Sequence, residues 1–230
     1  MKVCIIGFAR SRSSILLETI SHFYKIPILG EDINELTQDL NTPPSSNPYK
    51  LLLTNCFRKT DGVIRLHPFQ ILEMPKKDVC ADFDLFKFEQ YDKIYFTYRE
   101  SISDLIASEL VARMLKKYTY KSKEDLVTNI PSITINSETS GVIIEHLHYE
   151  NAVIKLREYF KDRGIEYQDL FYNDIPKYLF NNFPEAWTSH VETNYDYRKI
   201  ISNYEDIAPL YEHYKKNDAK YLQNKYCIRT

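Results

Sequence analysis

Residues 2–25 read KVCIIGFARSRSSILLETISHFYK, and this stretch decides the fold. Its first part, residues 2–8, is a short apolar run with β-branched side chains, which predicts a buried strand. Its last part, residues 13–25, carries apolar side chains at helical spacing behind Ser13 or Ser14 as N-cap, which predicts a helix. A buried strand that passes through a short loop into a helix is typical of the start of an α/β domain.

The rest of the chain alternates between predicted strands and helices. Strands are expected at 26–29, 62–66, 79–81, 93–98 and 165–171, and helices in a stretch that ends at Leu40, over 101–117 and over 139–163 before Gly164. This alternation predicts an α/β fold in three layers, with a mostly parallel central sheet flanked by helices. The length predicts a single domain over 1–230, whose C-terminal part, about 139–230, is mainly helical.

The composition excludes several classes of protein. Apolar residues make up 43% of the chain and charged residues 27%, with a net charge of -2, which disfavours a general nucleic-acid binder. No apolar stretch approaches the roughly 20 residues that a membrane helix needs. The four cysteines form no CxxC pair, so neither a metal site nor a redox motif is predicted, and a reducing cytoplasm is the expected location.

The loop between the first strand and the first helix has the chemistry of an anion site. It reads GFARSRSS at residues 7–14. Such a junction presents unpaired backbone N–H groups at the positive end of a helix dipole. The arginines and serines of the loop add further donors at the same spot. The loop lacks the GK[ST] ending of a Walker A sequence, which disfavours a lysine-dependent ATPase or GTPase.

Residues 9–14 (ARSRSS) resemble the first loop of the PAPS-dependent sulfotransferases, whose donor, PAPS, is a 3'-phosphorylated nucleotide that carries a 5'-phosphosulfate. The family loop reads P-[KR]-S-G-T-[TS] or, in bacterial branches, P-R-S-R-S-T, and here Ala9 replaces the proline. The resemblance implies a P-loop-type fold with Arg10 on the donor's 5'-phosphosulfate, both as a binding and as a catalytic residue. It also implies a phosphate cradle formed by Ser11, Arg12, Ser13 and Ser14.

A second segment resembles the part of the family that holds the donor's 3'-phosphate. In the family, an arginine ends a later strand and a serine follows in the next helix. Arg99 follows the predicted strand 93–98, and its guanidinium suits phosphate oxygens. The family's serine position is Ala107 here, but Ser108 comes next, and a helical wheel places it opposite the apolar stripe. The resemblance therefore assigns Arg99 and Ser108 to the 3'-phosphate.

Two candidates exist for the general base that accepts the proton of the acceptor. His67 lies in RLHPFQIL (65–72), which resembles the histidine-proline segment of cytosolic sulfotransferases, where the histidine is the base. Glu31, next to Asp32, is the alternative, because some bacterial carbohydrate sulfotransferases use a glutamate after the first strand–helix step. A glutamate would need its pKa raised by burial.

A late segment, NYDYR at 194–198, resembles the region of bacterial sulfotransferases near the adenine and the 3' side of the nucleotide. This resemblance assigns Tyr197 and Arg198 to donor binding. His146 and His148 stand two apart, so a helix would splay them, and no metal site is predicted there.

The sequence therefore predicts an enzyme that transfers a sulfuryl group from PAPS to a hydroxyl or amine of a small-molecule or carbohydrate acceptor, leaving PAP as the product. Two alternatives stay open. A P-loop nucleotide or nucleoside kinase would share the fold, although it would demand a phosphate-loop lysine. A non-catalytic nucleotide-binding relative would fit Ala9 and Ala107 at motif positions.

Overall fold

The computed structural model describes residues 1–8, 10–29, 61–68, 71, 83–116, 127, 129–136, 141–186 and 195–217. The predicted strand at 79–81 and the helical stretch to Leu40 lie outside these residues. The strands are β1 (Lys2–Gly7), β2 (Gly62–Leu66), β3 (Lys93–Tyr98) and β4 (Gln168–Phe171). The helices are α1 (Ser13–Tyr24), α2 (Ile102–Leu115), α3 (Gly141–Arg163), α4 (Ile175–Asn182), α5 (Tyr197–Ile200) and α6 (Ile207–Asn217), and short 3-10 turns cover Phe83–Phe86, Phe88–Gln90 and Tyr204–Asp206.

The four strands form one parallel sheet in the order β2-β1-β3-β4. The register aligns Ile6 with Leu66 on one side of β1 and Gly7 with Thr97 on the other. Because all four strands run the same way, their carboxyl ends meet at one edge, where ligands of α/β proteins bind. The predicted α/β fold with a parallel central sheet flanked by helices is confirmed.

Helices cover both faces of the sheet, which gives the fold its three layers. Val3 and Ile5 of β1 face a core that includes α1 and α4. Cys4 and Ile6 face the opposite way, into a core that includes α3. Complete burial also raises the pKa of the Cys4 thiol. A third apolar cluster joins α2, α3, α5 and α6.

Two predicted strands differ from those observed. Residues 26–29 form a single bridge, Ile28 to Val63, instead of a strand, because Pro27 within them has no N–H to add to a ladder. The last strand begins at Gln168 and not at 165. There the chain first completes the C-terminus of α3, with Gly164 at φ 64 and the Ile165 N–H bonded to the Phe160 carbonyl.

Among the helices of the described residues, none is both long and apolar enough to cross a lipid bilayer.

Candidate functional site

The site is built where β1 passes into α1, and Gly7 makes that junction possible. A Cβ at Gly7 would overlap the Thr97 hydroxyl of β3 and would lie 2.8 Å from the Ser13 Cβ of α1. A side chain at this position would therefore push the start of α1 away from the sheet. Glycine brings the first turn of α1 against the carboxyl ends of β1 and β3.

The loop itself is held by the buried Ser11. Its hydroxyl donates to the Phe8 carbonyl at 2.6 Å and lies 2.7 Å from the Thr97 hydroxyl. Since the Ser11 proton goes to Phe8, Thr97 must donate the second bond. The Ser11 N–H also donates to the Phe8 carbonyl, at 3.3 Å. Ser11 thus fixes the loop from inside, a structural role that the sequence did not predict for this cradle residue.

The two arginines of the loop adopt a rare backbone conformation. Arg10 has φ 65 and Arg12 has φ 63, in the left-handed region that costs a residue other than glycine on the order of 1 kcal/mol. Arg12 is the N-cap of α1, and its side chain makes no capping hydrogen bond. The N–H groups of the first helical turn are therefore not taken up by that cap, and they leave α1 with a positively polarised end.

A hydrogen bond joins the two segments that resemble the sulfotransferase motifs. The Arg10 Nε donates to the Ser108 hydroxyl at 3.0 Å, across 98 positions of the chain. The helical wheel was wrong about Ser108, which is only 2% exposed. α2 is buried on more than one side, because Leu105 packs in the core beneath the sheet and Ile106 in the cluster with the later helices. Ser108 is therefore an interior partner of the loop.

Arg12 and Arg99 meet on one aromatic ring. The Arg12 Cζ lies 3.8 Å from the centroid of the Tyr172 ring, and the Arg99 Cζ lies 4.5 Å from the same point. Arg12 also donates to the Tyr172 carbonyl at 2.9 Å. The ring of Tyr197, a predicted site residue, lies 5.5 Å from the Arg99 Cζ. Sequence reasoning missed Tyr172, although it is the first residue after the last predicted strand.

His67 follows β2 at the same edge of the sheet and is 8% exposed. Burial lowers the pKa of His67 to about 4, and the nearby Arg65 lowers it as well, whereas a hydrogen bond with the Gly7 backbone raises it. The imidazole is therefore neutral at pH 7 and able to accept a proton.

Arg65 is a further residue that the sequence analysis did not assign to the site. Its guanidinium donates to the Ser14 hydroxyl, in the first turn of α1. A charged side chain in the otherwise apolar β2 was the available signal. Arg65 adds positive charge next to both the helix terminus and His67.

Other predicted residues lie apart from this cluster or outside the described chain. Arg198 is exposed, pairs with Glu205 at 3.1 Å, and lies over the Tyr204 ring. Glu31 and Ala9 lie outside the described residues. His146 is buried beside Phe8, with ring centroids 6.1 Å apart, and its pKa is lowered to about 4 by burial and by Arg113. Within the described ranges, no group of three or more His, Cys, Asp or Glu side chains is arranged to hold a metal ion.

No known protein-family profile matches this sequence, and no curated protein matches it either. The resemblance to sulfotransferases is carried by the short segments quoted above.

Proposed function

We propose that the chain is a sulfotransferase that moves a sulfuryl group from PAPS to a hydroxyl or amine acceptor. The proposal is carried by one observation, the hydrogen bond between Arg10 and Ser108. These residues belong to two sequence motifs that resemble the 5' and the 3' donor sites of one enzyme family. Their contact supports a single site that receives both ends of one nucleotide.

The electrostatics of the site suit a ligand with several negative charges. Arg10, Arg12 and Arg99 belong to loops that follow β1 and β3, two neighbouring strands. The uncapped end of α1 adds its partial positive charge to theirs. Guanidinium groups bind phosphate oxygens through two parallel hydrogen bonds, which suits a ligand with phosphates at both its 3' and 5' positions.

Sulfuryl transfer requires the protein to position the two substrates and to neutralise the charge that develops on the donor. In the transfer, a bond forms between the acceptor oxygen and sulfur while the bond from sulfur to the phosphate oxygen breaks. Arg10 and the amides that open α1 would stabilise the charge that develops on the departing phosphate, by analogy with phosphoryl transfer. His67 would take the proton from the acceptor hydroxyl.

The lowered pKa of His67 fits this role once a donor is bound. In the free protein, a pKa of about 4 makes the imidazole neutral but weakly basic at neutral pH. A polyanionic ligand nearby would raise that pKa, because negative charge stabilises the imidazolium form. His67 would then become a stronger base only when the donor is in place.

Calorimetric titration with PAP, the donor without its sulfate, tests the proposal. We expect PAP to bind, and we expect Arg99→Ala to lower the affinity for PAP by about thirtyfold. This factor is equivalent to the loss of about 2 kcal/mol from a charged hydrogen-bonded contact. Binding of 5'-AMP, which lacks the 3'-phosphate, should change by less than about threefold. Transfer of labelled sulfate from PAPS to a panel of phenols, sugars and amines then separates an enzyme from a binding protein.

Arg163→Ala is the matched control for the arginine substitution. Arg163 ends α3, pairs with Asp84 at 2.7 Å, and lies just before β4, near the amino edge of the sheet. Its removal should leave the affinity for PAP unchanged. No binding of PAP at millimolar concentration, or equal losses for Arg99→Ala and Arg163→Ala, would contradict the proposal. Magnesium-dependent ATP binding in its place would favour a kinase.

A further inference from the structure

Tyr172 stands at the centre of the candidate site without belonging to either motif. It follows β4 directly, and its backbone N–H donates to the Tyr98 carbonyl at 2.7 Å, which continues the pairing of β4 with β3. The backbone position is therefore fixed by the sheet. The ring is only half-buried and belongs to none of the three apolar clusters. The ring is consequently available for a role other than packing.

The ring contacts two cations that come from different parts of the chain. The guanidinium carbons of Arg12 and Arg99 lie 3.8 and 4.5 Å from its centroid, well within the range of cation–π attraction. Two like charges held this close repel each other. The negative charge of the ring face offsets part of that repulsion, and an anionic ligand that contacts both guanidinium groups would offset more.

The remaining contacts of the two arginines fix them in different ways. Arg12 is also bonded to the Tyr172 carbonyl, so the same residue holds it by ring and by backbone. Arg99 has a second ring beside it, that of Tyr197 at 5.5 Å. Within the described part of the chain, no carboxylate forms an ion pair with Arg99, so no described residue neutralises its charge in this way. A guanidinium that lies near an aromatic ring can still bind phosphate oxygens through its N–H groups.

We infer that Tyr172 is a positioning residue that holds Arg12 and Arg99 on one ring, so that both act on a single ligand with two anionic groups. The inference rests on the proposed function and deepens it. It makes the 5' and 3' halves of the donor site one unit. Loss of the ring should weaken the binding of each phosphate, and a ligand with both phosphates should suffer both losses.

The experiment compares Tyr172→Leu with Tyr172→Phe, which keeps the ring and removes only the hydroxyl. Phe171→Leu is the matched control, because Phe171 is the neighbouring aromatic residue and is 45% exposed. Calorimetry measures the affinity of each variant for PAP, 5'-AMP, 3'-AMP and inorganic pyrophosphate. Thermal unfolding of each variant shows whether the fold is kept.

For Tyr172→Leu we expect affinities about threefold lower for each monophosphate and about tenfold lower for PAP. The affinities of Tyr172→Phe and Phe171→Leu should stay within about twofold of those of the unaltered chain, since neither substitution removes the aromatic ring at position 172. Rescue by phenylalanine is a result that a purely structural role of the Tyr172 hydroxyl would not give.

The outcomes separate the two proposals. If the unaltered chain binds PAP and Tyr172→Leu binds it equally well, or loses affinity for only one monophosphate, the role of Tyr172 is refuted and the proposed function stands. If Tyr172→Phe loses as much as Tyr172→Leu, the ring is not the cause and the inference is also refuted. If pyrophosphate binds more weakly to Tyr172→Leu than to the unaltered chain and PAP does not bind, the role of Tyr172 is supported and the proposed nucleotide donor is refuted. If neither ligand binds, both proposals fall.

Discussion

Replacing Gly7 with alanine tests how the anion site is built. The added Cβ would overlap the Thr97 hydroxyl and would stand 2.8 Å from the Ser13 Cβ and 3.1 Å from the Ser11 hydroxyl. All three neighbours are buried, and Ser11 and Thr97 are bonded to each other. None of them can turn aside without losing a contact. The first turn of α1 would therefore have to move away from β3.

The expected cost follows from these contacts. Overpacking of one carbon in a dense interior costs about 1–3 kcal/mol. Breaking the Ser11–Thr97 bond adds about 1 kcal/mol, whereas alanine returns about 0.4–1 kcal/mol by restricting the unfolded chain. The net loss is about 1–3.5 kcal/mol, or roughly 2–14 °C in melting temperature for a chain of this length.

Urea unfolding followed by circular dichroism measures this loss. Gly141→Ala is the control, because a Cβ at Gly141, the first residue of α3, would have no atom of the described residues within 4 Å. That variant should be as stable as the unaltered chain or slightly more so. The affinity for PAP should fall in Gly7→Ala and stay the same in Gly141→Ala. Equal stability of the two variants would refute the reasoning about the junction.

Two further predictions concern stability. Burial lowers the pKa values of His67 and His146 from 6.5 to about 4, so between these pH values the unfolded chain binds protons that the folded chain does not. The free energy of unfolding should therefore fall as the pH drops from about 6.5 toward 4, by up to about 3 kcal/mol for each histidine. Urea unfolding at pH 7 and pH 4.5 measures this change. The free energy of unfolding should depend less on pH in His67→Gln and in His146→Gln than in the control His22→Gln, which changes an exposed residue. An equal pH dependence in all three variants would contradict the burial argument. A double-mutant cycle of Arg10→Ala and Ser108→Ala should give a coupling of about 1 kcal/mol. The exposed pair Lys199 and Asp196 should give almost none, and similar values for the two pairs would count against the Arg10–Ser108 bond.

Local sequence patterns were enough to predict a parallel central sheet and the bounds of two of its strands. β2 and β3 have the predicted bounds, because each is a short run of apolar and β-branched residues with a polar boundary. The helix α3 ends before Gly164 as predicted, since only glycine enters the left-handed region at low cost. His67 and Arg99 follow these strands, so the parallel topology brings them to the edge where β1 ends.

The rest depended on contacts between distant parts of the chain. A helical wheel assumes one buried face, and α2 is covered by two separate clusters, so the wheel misplaced Ser108. The role of Ser11 depends on Thr97, 86 positions away. The place of Tyr172 beside Arg12 and Arg99 depends on the pairing of β4 with β3. No local pattern contains these pairings, which arise from tertiary packing.

A crystal structure of the chain with PAP bound tests the central claim most directly. We expect the 5'-phosphate to lie within hydrogen-bond distance of the amides at the start of α1 and of Arg10. We expect the 3'-phosphate to contact the N–H groups of Arg99, and His67 to face the side of the 5'-phosphate where the sulfuryl group would be. A nucleotide bound elsewhere, or phosphates that touch neither the first turn of α1 nor Arg99, would contradict it.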